Sequence, residues 1–279
     1  MSDTPRGPAK VTVASGGQAP GGDEPPVVAT GRAIVAKAAA GSIAVRLLGG
    51  VAIWIRASAA ARAALGRNYP DIDLVAHRRQ SRALRALLEE EGFQPERVFN
   101  ATHGARRLLY HLPPSDWPGG GAAGGSHVDV FLDIFEMSHT LDLGARLETE
   151  PETLAAAELL LTKLQVAEVN RKDLSDVAML LWDHEPADGD SLGMLNLRTV
   201  AKVCGADWGL YTTATQNLAA CAGLLIELVP AQPERAKIAE RIEVIIAALA
   251  AAPKTVGWRM RARVGRRVRW YQLPEEVIR

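Results

Sequence analysis

Apolar residues recur along the chain with two different periods, and the change of period divides it. Up to about residue 148, short alternating runs are interleaved with helical ones. Ala33 to Ala40 reads as a short helix, and Ile43 to Leu48 as a strand that turns at Gly49-Gly50 into a helix from about Val51 to Leu65. Asp71 to Val75 alternates polar and apolar residues as a short strand does. Ser81 to Glu91 is helical, with Leu84, Leu87 and Leu88 on one face. Arg107 to Leu112 and Val128 to Phe135 are two further strands, joined by PPSDWPGGGAAGG, a loop by composition.

After Thr149 only helical spacing remains, over 152–169, 173–184, 196–203, 209–229 and 233–251. The first of these opens on Thr149-Glu150-Pro151-Glu152, which offers a capping oxygen, an early proline and a glutamate at the third helical position. The pattern predicts an α+β fold: a small mixed β-sheet unit over residues 31–148, followed by an α-helical unit over 149–252. Residues 1–30, rich in Pro, Gly, Ser and Ala, read as a disordered tail, and 253–279 as a basic C-terminal segment. In that segment apolar residues fit strand alternation (Trp258, Met260, Ala262, Val264) and a helical face (Met260, Val264, Val268) equally well.

Composition narrows the class. A chain of 279 residues with 48% hydrophobic and 23% charged side chains can bury a substantial core and reads as soluble and globular. The start of the chain shows no basic stretch leading into an apolar run, which predicts a cytosolic protein. The uncharged run from Trp208 to Ile226 holds three Thr, a Gln and an Asn, so it reads as a buried helix and no membrane association is expected. Cys204 and Cys221 lie far apart in apolar settings and read as buried thiols. Although the net charge is zero, charge is sorted by position: 13 basic against 7 acidic side chains in 31–127, 4 against 15 in 128–196, and 8 against 2 in 253–279. An acidic centre suits cations and basic flanks suit phosphate, although solvated helix faces account for most such residues.

Chemistry enters at RNYPDIDL. With 14 Asp in the chain, one Asp-x-Asp match is expected by chance, and Asp188-Gly-Asp190, in a polar loop, reads as that match. Asp71 and Asp73 sit on a strand, where residues two apart share a face, and paired carboxylates repel unless a cation lies between them. Mg²⁺ or Mn²⁺ suits such an oxygen site and binds substrate phosphates. The stretch HVDVFLD supplies a third acid, Asp129 or Asp133, and three acids on adjacent strands can hold two metals around an in-line phosphoryl displacement. Gly49-Gly50 at a helix start lets backbone N–H groups approach phosphate, though a plain strand-to-helix turn uses the same residues.

Together LLGGVAIWIR, RNYPDIDLV and HVDVFLDIF resemble the nucleotidyltransferase superfamily that includes DNA polymerase β. The downstream LLLTKLQVAEVNRKDLSDVAMLL is similar to the signature of its abortive-infection, AbiEii-type branch, matching at Lys163, Lys172, Asp173 and Asp176. The likeness spans roughly residues 43–183. It implies metal-dependent transfer of a nucleoside monophosphate from an NTP to an acceptor hydroxyl on RNA (tRNA included), a protein or a small molecule. Asp71, Asp73 and Asp129 would be catalytic and ligate Mg²⁺ or Mn²⁺. Asp129 is preferred as third acid because Val128 and Val130 flank it, and it would also act as general base. Gly49, Gly50, Arg67, Lys163 and Asp173 would bind the nucleotide, with Lys163 reaching the triphosphate. Some members of the branch are toxins, which implies an antitoxin partner. Two departures from the pattern are Tyr69, where Thr is usual, and the inserted glycines Gly119 to Gly125.

Other readings compete. The fold can persist as a non-catalytic module that binds nucleotides or a partner protein. Six arginines between 259 and 269, with Trp258, Trp270 and Tyr271, can contact RNA or form a solvated face against the acidic middle segment. His77 reads as a surface residue, and His127 and His139 as structural hydrogen-bonders. Lys172-Asp173-Leu174-Ser175-Asp176 also reads as a helix start with acids near the positive dipole end.

Overall fold

A computed structural model describes residues 24–112 and 127–273. The glycine-rich connection at 113–126 and most of the expected tail lie outside the described residues. The first half runs α1 (Pro26–Ala40), β1 (Val45–Leu48), α2 (Gly49–Arg56), α3 (Ala59–Leu65), β2 (Ile72–Ala76), α4 (Ser81–Glu90), β3 (Gln94–Pro95), α5 (Arg97–His103), β4 (Arg107–His111), β5 (Val128–Leu132), β6 (Ile134–Glu136) and β7 (Thr140–Asp142). The second half runs α6 (Ala156–Leu164), α7 (Arg171–Asp183), β8 (Glu185–Ala187), β9 (Met194–Asn196), α8 (Leu197–Ala206), α9 (Trp208–Leu228), α10 (Gln232–Ala251) and α11 (Val256–Val264). The protein is α+β. Among the described residues no helix is long and apolar enough to cross a membrane.

Five strands form the main sheet in the order β1-β2-β5-β4-β3, with β2 and β5 parallel and the other neighbours antiparallel. Alternation fixes its two faces. Ile72, Leu74, Val128, Val130, Leu108 and Tyr110 are fully buried on one face, on the side where α1 packs, its Gly31 close against Leu47. Each buried aliphatic side chain there contributes about 1.5–3 kcal/mol. A one-residue slip of β2 would exchange Ile72 and Leu74 for Asp73 in the core, so the apolar residues hold the acid on the other face. One hydrophobic cluster continues from the sheet into α6, α7, α9 and α10.

Several expectations need correction. The tail was expected to reach residue 30, but α1 begins at Pro26, because Val27, Val28, Ile34 and Val35 form a buried stripe that secures the extra turn. The helix expected from Val51 to Leu65 breaks at Ala57-Ser58. There Ser58 caps α3 through Ala61 N, and its own N–H donates to Asp183 at 2.6 Å. The strand expected through Phe135 ends at Leu132, because Asp133 turns the chain with φ +61°. No helix starts at Thr149. Residues 152–154 run extended beside β1 instead: Leu47 N–H donates to Glu152 O and Leu154 N–H to Leu47 O, both at 2.9 Å, delaying α6 to Ala156. Between α6 and α7 the chain is interrupted, and Asn170 caps α7 by accepting from Lys172 N and Asp173 N. The second half is not purely helical, since β8 and β9 pair in it. Within the basic C-terminal segment, Val256–Val264 forms a helix, α11, capped by Thr255.

Candidate active site

The parallel register sets Asp73 opposite Asp129. Neighbouring strands lie about 4.8 Å apart, so two carboxylates are brought side by side on the face away from the α1 packing. Asp129 is buried and Asp73 partly so. The glycine corner is built against this pair. Gly49 has φ +67°, and a Cβ there would fall 2.0 Å from Asp73 Oδ2. A Cβ on Gly50 would fall 2.3 Å from Tyr69 Cδ1 and 3.0 Å from Arg67 Nη2. A plain turn would require only the first glycine's backbone freedom. Here both positions must lack a side chain so that the acid, the tyrosine ring and the arginine can close on the start of α2.

The Asp73 carboxyl is pushed up to about 7, first by burial and then by the charge of Asp129, with Asp71 adding to the effect and Lys163 and His127 opposing it. Among the described residues its carboxylate accepts no hydrogen bond. A half-buried carboxylate beside two other acids, with nothing donating to it, is an environment that favours a bound cation.

The partners of the other acids are already assigned. Arg107, on β4, grips Asp129 with Nε at 2.8 Å from Oδ1 and 3.0 Å from Oδ2, while Nη2 also donates to Oδ2. The same guanidinium lies 5.0 Å from the Phe131 ring centroid and 5.6 Å from that of Phe99. Asp71, at the head of β2, accepts from His127 N at 3.2 Å and has His127 Nδ1 at 3.3 Å. Among the described residues no group of three or more His, Cys, Asp or Glu side chains is gathered closely enough to hold a metal ion. Asp73 and Asp129 are therefore brought together as a pair, with Asp71 beside them and turned to His127.

Asp133, the other candidate for third acid, is committed elsewhere. Its carboxylate accepts from Arg78 N at 3.1 Å and contacts His77 Nδ1 at 2.9 Å, past the far end of β2. His139 is a buried hydrogen-bonder, with its backbone N–H on Gln165 and Nε2 2.9 Å from Thr213 Oγ1; burial pulls its pKa down.

Arg67 and Lys163 reach the same corner from different units and share one buried acid. Asp176 is fully buried in α7 and binds Arg67 Nε at 3.2 Å, Arg67 Nη2 at 2.8 Å and Lys163 Nζ at 2.9 Å. Asp173 holds Lys163 Nζ at 3.2 Å. Burial lowers the pKa of Lys163, but Asp176 and Asp173 more than offset it, so the ammonium is held above its ordinary value. Arg67 lies 4.4 Å from the Tyr69 ring centroid, so the tyrosine serves as a platform for it. Lys172 is exposed.

Arg107 was missed in the sequence. Its only signal is a charge at the head of an otherwise apolar strand, RLLYH, and its target is set by pairing of strands 22 residues apart. No protein-family model matches the chain, and a search of the curated proteins finds no match.

Proposed function

We propose that this protein is a metal-dependent nucleotidyltransferase that moves a nucleoside monophosphate from an NTP to an acceptor hydroxyl and releases pyrophosphate. The observation that carries this reading is the Asp73–Asp129 pair on parallel strands, closed by Gly49-Gly50 and faced by Arg67 and Lys163. Asp73 and Asp129, with Asp71, would hold Mg²⁺ or Mn²⁺, which supplies charge neutralisation at the reacting phosphorus and its oxygens. Lys163 and Arg67 are kept charged by Asp176 and would meet the triphosphate as one of them swings off its carboxylate. The N-terminal N–H groups of α2 are available to phosphate oxygens. Asp129 takes the acceptor hydroxyl proton as the oxygen attacks the α-phosphorus and the bond to pyrophosphate breaks. For that, Arg107 must give up one of its bonds to Asp129.

Incubation with labelled NTPs, Mg²⁺ and total RNA as acceptor should give metal-dependent label transfer or pyrophosphate release. Unchanged activity in the Asp71→Asn, Asp73→Asn double variant would show that the chemistry lies elsewhere.

The hold of Arg107 on both Asp129 oxygens favours a second reading, a non-catalytic module that binds nucleotides in the same corner. Calorimetry separates the two: NTP binding with no turnover against any acceptor supports the module.

A further inference from the structure

The C-terminal segment forms a second site outside the acid corner. A cavity of about 480 Å³ is bordered by Trp208, Trp258, Trp270, Tyr271, Arg261 and Arg269. Its outer wall is docked in place. Trp270 Nε1 donates to Thr213 Oγ1 at 3.1 Å, and Gln272 N–H donates to Ser138 O at 2.9 Å. Gly209 lets the strap close, since a Cβ there would fall 2.6 Å from Trp270 O. All four aromatic side chains are only partly buried, so each ring presents surface to the cavity.

Asp207 is the one acid lining this cavity, against Arg261 and Arg269. Among the described residues none of Arg259, Arg261, Arg263, Arg266, Arg267 and Arg269 pairs with a carboxylate, so no ion pair with the acidic middle segment neutralises them. Arg261 donates to the carbonyls of Gly265 and Val268, at 2.7 and 2.8 Å, and the other five are exposed. Guanidinium groups lie over the rings: Arg261 is 4.9 Å from the Trp208 centroid, Arg266 5.6 Å from Trp270 and Arg269 5.6 Å from Tyr271. Alternating cations and π-faces at a cavity mouth meet phosphate and base together, and guanidinium planes themselves stack bases.

We propose that this cleft binds single-stranded nucleic acid, its bases on the tryptophan–tyrosine wall and its phosphates on the exposed arginines. A duplex keeps its bases stacked internally and would use only the charge. An acidic protein segment would answer the arginines and the exposed Val256, Met260 and Val264 of α11, but would leave the aromatic cavity without an occupant. Gln272 also borders a second cavity of about 480 Å³ beside Arg107, Phe99 and Phe131. A bound strand can thus run toward Asp129; that its end is the acceptor rests on the transferase reading, whereas the binding does not.

The test uses the full chain at low salt, without nucleotide or divalent cation, and follows the anisotropy of a short labelled single-stranded RNA. Tighter binding of the single strand than of its duplex is expected, by about ten-fold or more. Replacing Arg259, Arg263, Arg266 and Arg267 together by Ala should weaken binding and flatten its salt dependence, the slope falling by about 0.7 for each phosphate that is no longer neutralised. Tyr271→Leu should weaken binding about five-fold or more while leaving the salt slope unchanged. Equal affinity for duplex, displacement of the RNA by a polyglutamate peptide as readily as by unlabelled single strand at the same charge concentration, or full affinity in Tyr271→Leu would overturn the proposal. Because no NTP is present, failure here and failure of the transfer assay are separate results.

Discussion

Replacing Asp73 by Asn should make the protein more stable at pH 8 and leave it nearly unchanged at pH 4. The carboxyl titrates near 7 in the folded chain instead of near 3.8, because burial and the Asp129 charge disfavour its ionised form. Near pH 4 the group is protonated in the folded chain and about half protonated in the unfolded one, so its contribution to stability is small. From there to about pH 7 the unfolded chain releases the proton while the folded chain retains it, so stability falls as pH rises. At 1.36 kcal/mol per unit, a shift of about three units sets a ceiling of about 4 kcal/mol; partial access of water to the group brings the expected loss to about 2 kcal/mol. Asn has nearly the same shape and no proton to lose. Urea unfolding followed by tryptophan fluorescence, on both proteins across pH 4–8, isolates the titration of the Asp73–Asp129 pair as a difference, because groups remote from the pair cancel. Added Mg²⁺ should stabilise the wild type more at pH 8 than at pH 5 and leave Asp73→Asn nearly unmoved, since a cation favours the ionised acid. A stability difference that does not change with pH, or an Asn variant that is weaker at pH 8, would refute the reasoning.

Three further outcomes follow from single contacts. Arg107→Met strips the buried Asp129 of its partner and should cost about 3–5 kcal/mol in urea unfolding, whereas combining it with Asp129→Leu should recover most of that loss. Gly49→Ala places a side chain at φ +67° and against Asp73, and should cost about 2 kcal/mol or more; a loss within about 0.5 kcal/mol would show that the corner is looser than described. Cys204 and Cys221 are buried with thiols pushed up to about 12, so iodoacetamide at pH 8 should label neither in the native protein and both after unfolding.

Strand and helix positions were legible wherever one face is consistently apolar, as in Ile72–Ala76, Ser81–Glu90 and Trp208–Leu228. Boundaries set by distant partners were not. Nothing local in Thr149-Glu150-Pro151-Glu152 shows that residues 152–154 pair with Leu47, because a capping sequence and an extended one look alike until the neighbouring strand is in place. Similarly, Val128 to Phe135 reads as one strand because six of its eight residues are apolar and no turn former interrupts them. The turn at Asp133 is imposed by backbone bonds from Leu143 and Gly144 and by the His77 contact, all from outside the segment. At the candidate site the acids and glycines could be read, since their residue types are chemically restricted. Arg107 could not be, since its role depends on strand register.

The Lys-then-Asp-x-x-Asp stretch of the second half has a physical account in the placement of Asp176. Asp173 and Asp176 are three residues apart on α7, so they share one helical face, and Lys163 from α6 lies across both. Asp176 also accepts from Nε and Nη2 of Arg67, which stands four residues before Asp71 in the other half of the chain. An acid with no exposure between two cations costs a great deal to bury alone, and each cation would be costly without it. The arrangement thus couples the helical half to the acid corner: neither Arg67 nor Lys163 can be set without α7. The spare charge balance matters as well. Two cations against Asp176 and Asp173 are neutral as they stand, and the positive charge becomes available to an incoming anion only as Lys163 or Arg67 swings away from its carboxylate. On this account Asp173, expected to bind the nucleotide, acts by holding Lys163. Asp173→Asn should then leave Lys163 held by Asp176 alone, with one positive charge in excess, and raise affinity for triphosphate, whereas Asp176→Asn should loosen both halves and lower stability by about 3 kcal/mol or more. Calorimetric titration with NTP, beside urea unfolding of the same variants, distinguishes them: reduced NTP affinity in Asp173→Asn at unchanged stability would return that residue to direct contact with the ligand.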